Sequence, residues 1–169
     1  MTDLLNKKPV LVVGVGNSIM MDDGCGVEVI NQLQEEFENE HVDIFEGGTL
    51  GIDMLPWLSD REVIIFIDAV EANQKPGTIF RFEPNEVNYK NAIKTSVHQI
   101  GLIDSLNMTN FIGKAPKKTI LIGIQPNIID WGLELSEEVK ASIPKVKKLV
   151  IDEIEKAIKE IENKILSEV

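Results

Sequence analysis

Cysteine is nearly absent from this sequence, with Cys25 standing alone. That excludes an intrachain disulfide, a thiolate zinc site and an iron–sulfur cluster. Any metal site must therefore be built from carboxylates and imidazole, and imidazole is scarce too, with two histidines, His41 and His98. No apolar run reaches the roughly 18 to 20 residues that span a bilayer. The opening Met1-Thr2-Asp3-Leu4 also lacks the basic-then-apolar pattern of a secretory signal. A soluble, cytoplasmic protein is expected. Positive charge is in deficit, 17 Lys and Arg against 28 Asp and Glu, for a formal charge of −11. Such a surface repels a phosphate backbone, and no basic stripe offsets it, so nucleic acid is not an expected partner. The local charge runs, Lys114, Lys117 and Lys118 on one side and Glu35, Glu36, Glu38 and Glu40 on the other, read as solvated surface.

What is present is a regular alternation of strand and helix signals. At 169 residues with no linker or repeat, the chain reads as one domain, residues 1–169. Pro9 to Val13 is a β-branched apolar run ending at glycine, the signature of a strand covered on both faces. From Gly26 onward, Val27, Ile30, Leu33 and Phe37 recur at helical spacing. Val42 to Glu46 reads as a second strand closed by Gly47-Gly48, and Leu50 to Leu58 as a short helix. Val63-Ile64-Ile65-Phe66-Ile67-Asp68 is the strongest strand signal, five apolar residues that deliver one acid at their C-terminal end. Thr78 to Phe82 alternates like an edge strand, Ser96 to Leu106 gives a helix with His98 in its first turn, and Lys118 to Ile124 is a further buried strand. Ser136 to about Leu166 is a long amphipathic helix in which Pro144 marks a kink or a new start. The sum is an α/β fold with a mostly parallel sheet covered on both faces, a class that places ligand sites at the C-terminal strand ends.

Three features at those ends could do chemistry. Gly14-x-Gly16 after a strand and before a helix imitates a dinucleotide fingerprint. The third glycine position is Ile19, however, and Asp22 and Asp23 precede the helix where a pyrophosphate would sit. One of those aspartates could cap the helix, leaving the other spare. Asp68, at the end of the most apolar strand, either caps a turn or meets a cation. His98 joins them in combination, since two carboxylates and one imidazole make an N/O donor set suited to a borderline divalent ion such as zinc or nickel. His41 opens the second strand in a polar setting and reads as surface. Cys25, between Gly24 and Gly26 with no histidine adjacent in sequence, reads as a packing residue and not a nucleophile. There is no His-Glu-x-x-His helix and no evident serine or cysteine triad.

Five ordered segments together resemble the nickel–iron (NiFe) hydrogenase maturation endopeptidases: Gly14 to Gly26, Glu46-Gly47-Gly48-Thr49-Leu50-Gly51, Ile67-Asp68-Ala69, His98-Gln99-Ile100-Gly101-Leu102, and Ile122-Gly123-Ile124-Gln125-Pro126. The resemblance implies a three-layer α/β/α, phosphorylase/hydrolase-like fold. It also implies an aspartyl-type endopeptidase that removes a C-terminal extension from the nickel-loaded hydrogenase large-subunit precursor. Asp23, Asp68 and His98 would be both the metal ligands and the catalytic residues. The nickel would come with the precursor, with zinc or cadmium able to stand in its place, and Asp22 or Asp68 would serve as base. Asp23 stands where the family uses Glu or Asp, and Glu46 where many members have Asp. The expected partner is that precursor, met by a monomer with no membrane insertion. Two alternatives remain at this point: a non-enzymatic nickel chaperone or docking factor using the same three ligands, and a nucleotide-binding α/β protein.

Overall fold

The computed structural model describes residue 4, residues 6–83 and residues 97–167, with the backbone alone at 97–100 and 102. Strands and helices alternate: β1 (Val10–Val15), α1 (Cys25–Glu36), β2 (Val42–Gly48), α2 (Leu55–Leu58), β3 (Val63–Ala69), β4 (Ile79–Phe82), α3 (Val97–Phe111), β5 (Lys118–Ile124) and α4 (Glu137–Ser167). The strands form one five-stranded sheet in the order β2-β1-β3-β5-β4. The first four are parallel, and β4 runs antiparallel to β5 at the edge.

The strands read as continuous apolar runs because both faces of the sheet are covered. Val10, Val12, Ile65, Ile67, Ile120 and Ile122 pack under α1 and α4, meeting Ile30 and Leu33 of α1 and Val139, Ile143, Val146 and Val150 of α4. The alternate positions Leu11, Val13, Ile64, Phe66 and Leu121 pack on the opposite face with Leu58 of α2 and Leu106 of α3. Each such side chain, fully withdrawn from water, contributes about 1.5–3 kcal/mol. The result is three layers, helix over sheet over helix.

Several boundaries depart from the sequence expectation for local reasons. β2 runs on through Gly47 and Gly48 instead of ending before them. A Cβ on Gly47 would lie 2.8 Å from both Met54 and Val13, so the missing side chain is what lets this stretch stay in the sheet. The helix expected over Leu50 to Leu58 divides into a tight helical turn, Gly51–Met54, and the one-turn α2, with Pro56 near the start of α2. The helix expected from Ser96 to Leu106 is α3, which continues to Phe111; Ser96 itself lies outside the described residues. Pro144 neither ends nor restarts the C-terminal helix, which is continuous over 31 residues. Apolar side chains on both sides of Pro144 hold the helix to the sheet, which outweighs the one backbone donor that proline removes.

The basic and acidic runs behave as surface. Lys114 pairs with Asp60, Lys117 with Glu62 and Lys147 with Glu36, all in exposed or partly exposed settings. Among the described residues no helix is long and apolar enough to cross a membrane.

Candidate active site

The chain order gives the sheet a switch point. From β1 the chain turns outward to β2, whereas β3 lies on the other side of β1. The crevice between the C-terminal ends of β1 and β3 is where a sheet of this kind receives ligands. Both acid-bearing segments end there: the loop that leaves β1 carries Asp22 and Asp23, and β3 carries Asp68.

Glycines draw these segments together. Gly16 has φ of +127°, and a Cβ there would lie 1.9 Å from the Asp23 carbonyl oxygen, so the loop folds back on itself only at a residue without a side chain. A Cβ on Gly26 would lie 2.2 Å from the Ile67 carbonyl and 2.5 Å from that of Val15. The first turn of α1 therefore presses directly on the ends of β1 and β3. This contact fixes the acid loop, which leads into α1, over the strand ends.

The three acids are all buried, with Asp22 and Asp68 at 0% exposure and Asp23 at 6%. Neither Asp22 nor Asp23 caps α1. Its cap position is Gly24, without a side-chain hydrogen bond, and the acids occupy the tight turn before it, Met21–Gly24. Asp23 Oδ2 accepts from the Asn17 N–H at 2.9 Å, which fixes the carboxylate against its own loop. Asp22 is engaged elsewhere. Its Oδ2 accepts from the N–H groups of Asn127 and Ile128 at 2.8 and 2.9 Å and from the Ser136 hydroxyl at 2.8 Å, and its Oδ1 accepts from the Ser136 N–H at 2.7 Å. With four donors on two oxygens, Asp22 serves as a structural pin. Sequence reasoning noticed the spare acid but not its destination, because the donors are mostly backbone groups more than a hundred residues away.

Asp68 sits inside β3, opposite Gly123 of β5. By strand alternation it shares a face with Ile64 and Phe66, the face that α2 and α3 cover. The first turn of α3, which contains His98, approaches this face from the side of β2. A Cβ on Gly101 would lie 3.0 Å from the Gly51 Cα, and Ser105 Oγ donates to the Gly51 carbonyl at 2.8 Å. The side chain of His98 lies outside the described residues. Among the described residues no cluster of three metal-ligating side chains forms, so a three-ligand site would need His98 to complete it.

Cys25 is enclosed beside these acids. Burial pushes its thiol well above the ordinary cysteine range, and the charges of Asp68, Asp22 and Asp23 push it further. It stays a protonated packing residue. Its position also reports on the acids, since all three carboxylates act on one sulfur. Glu46 is exposed in β2, opposite Gly14 in register. Gln125, 3% exposed, ties the end of β5 to the loop after β3: its Oε1 accepts from the N–H groups of Ala72 and Gln74, and its Nε2 donates to Glu71.

The family model described as HycI, hydrogenase maturation protease, matches residues 27–153. The chain belongs to the hydrogenase maturation protease family. A hydrogenase 2 maturation protease from Escherichia coli (strain K12) is 34% identical over 136 residues, covering 79% of this chain and 83% of that protein. The hydrogenase expression/formation protein HupD of Rhizobium leguminosarum bv. viciae is 34% identical over 138 residues, covering 80% and 68%. Among solved structures, the hydrogenase maturating endopeptidase HybD from E. coli superposes with a TM-score of 0.81 at 32% identity, over 88% of this chain and 93% of that one. This maturation protease is therefore an endopeptidase with the α/β fold of its relatives, and the chaperone and nucleotide-binding alternatives give way to it.

Proposed function

We propose that this endopeptidase removes the C-terminal extension of a NiFe-hydrogenase large-subunit precursor that already carries nickel, and that Asp23, Asp68 and His98 engage that metal. The observation that supports this reading most is that two buried carboxylates, Asp23 and Asp68, both lie beside Cys25 where β1 and β3 end at the sheet's switch point. Carboxylates withdrawn from water favour a cation or hydrogen-bond donors beside them. Carboxylate and imidazole donors suit a borderline divalent ion, and zinc or cadmium would satisfy the same set.

Nickel here is part of the substrate: it marks a precursor ready for processing, and a bound divalent ion would supply polarisation of the carbonyl to be cut. The protein's own groups do the rest. Asn17 holds the Asp23 carboxylate in a fixed orientation through its backbone N–H. The buried setting strengthens the attraction between these carboxylates and a cation. Asp22 is committed to Asn127, Ile128 and Ser136, and in this reading Asp68 takes a proton from the attacking water.

The test is to convert Asp23, Asp68 and His98 to alanine one at a time and follow the mass of the nickel-loaded precursor. Each change is expected to lower kcat/KM about a hundredfold or more. Full activity in all three variants would overturn the assignment.

A further inference from the structure

The segment from Ile128 to Leu133 faces outward with a set of apolar side chains that nothing in the fold's core accounts for. Trp131 is 76% exposed, Leu133 79% and Ile129 50%, while Ile19 on the acid loop is 46% exposed. This segment is bound to the acid loop by main-chain atoms: Met21 N–H to the Gly132 carbonyl at 2.9 Å, Gly132 N–H to Ile19 at 3.0 Å and Asp22 N–H to Ile128 at 3.2 Å. The opposite flank of the acid loop is bound to the glycine segment through Gly16 N–H and the Gly48 carbonyl, 2.9 Å apart, and there Leu50 and Ile52 are exposed as well. Exposed apolar side chains thus flank the acid loop on both sides. Single exposed apolar side chains occur elsewhere, Phe111 among them, but a clustered apolar patch beside the acid loop marks a protein contact.

We infer that the 128–133 strap, with Ile19, is the surface on which the folded body of the precursor docks, so that its tail is delivered across Asp23 and Asp68. This rests on the precursor-processing reading above. A folded protein is the occupant that fits. Asp130 within the strap and Glu134 directly after it are exposed and would repel an anionic membrane, and a second copy seated here would cover the acid loop that a substrate tail must reach. A matching patch on the precursor would combine apolar side chains with basic groups that face Asp130 and Glu134.

The experiment compares wild type, the double variant Trp131→Ala/Leu133→Ala and the control Phe111→Ala, whose side chain is 88% exposed on α3. Thermal melts first establish that all three are folded. Affinity for the nickel-loaded precursor is measured by titration calorimetry, with cleavage followed separately. The double variant is expected to bind at least about tenfold more weakly and to cleave with raised KM and unchanged kcat, while Phe111→Ala behaves as wild type. Equal affinity in the double variant overturns the docking surface, as does a wild type that binds no precursor. So does a double variant whose only change is loss of self-association in sedimentation, which would make the strap a contact between copies. Wild-type protein that binds the precursor and leaves its tail intact would refute the processing reading while leaving the docking surface standing.

Discussion

The Asp22 carboxylate holds Ser136 twice, taking its backbone N–H on one oxygen and its hydroxyl on the other, across 114 positions of sequence. The same carboxylate also takes the N–H groups of Asn127 and Ile128. Asp22→Ala would remove the acceptor of three backbone donors, that of Ser136 buried and those of Asn127 and Ile128 part-buried, at a cost of about 2–4 kcal/mol. Asp22→Asn, which turns an NH2 group toward donors, is expected to fall between that and Ser136→Ala, about 1 kcal/mol. Urea denaturation of the three variants gives the ranking. A cost below about 1 kcal/mol for Asp22→Ala would show that the pin is dispensable.

Gly26→Ala is expected to be among the most damaging small substitutions in the chain. The added methyl would meet two backbone carbonyls, of Ile67 and Val15, at 2.2 and 2.5 Å. Neither can move without dislodging a strand end, so a loss of about 3 kcal/mol or more is expected. Soluble yield and melting temperature report it directly. Wild-type stability in Gly26→Ala would mean that α1 does not pack this closely on the sheet.

Cys25 should be inert. Iodoacetamide is expected to leave the native protein's mass and activity unchanged and to modify the urea-unfolded chain fully, because the thiol is buried and held protonated. Cys25→Ala should keep precursor processing while costing about 1 kcal/mol in lost packing. A processing defect with normal stability would give the sulfur a role in the reaction.

Glu153 on α4 links stability to pH. Burial alone would raise its carboxyl, but Arg81 at 3.1 and 3.3 Å and Lys156 at 3.0 Å outweigh that and hold it below its ordinary 4.5. A depressed folded-state value means the pair stabilises the fold above about 4.5, and that this contribution is lost as pH falls through the native carboxyl's own titration. Glu153→Gln should therefore cost about 1–2 kcal/mol at neutral pH. The gap from wild type should close in acid, as denaturation curves across pH would show.

Much of this fold is legible in the sequence because its signals are local. Val63 to Ile67 is apolar at every position and becomes the central β3, and the α4 stripe from Val139 to Ile161 survives Pro144 because its spacing is helical on both sides. The acid loop is legible as a strand–glycine–acid pattern followed by a helix. What the sequence could not convey is which acid does what. Asp22 and Asp23 are adjacent and identical in type, and they separate in role only because backbone donors from residues 127–136 converge on one of them. No side-chain pattern announces a backbone donor. The glycine contacts of α1 with β1 and β3 are hidden for the same reason, since a missing Cβ becomes informative only when its neighbour in space is known.

The strap between Ile128 and Gly132 is fastened to the acid loop through main-chain hydrogen bonds and the Asp22 carboxylate. None of its outward side chains takes part in that fastening, so they can be exchanged without loosening Asp23. If the strap docks the precursor as inferred, such an arrangement separates the choice of partner from the positioning of the acids. The outer face of the strap is thus open to change of its side chains while the acid loop beneath it stays in place.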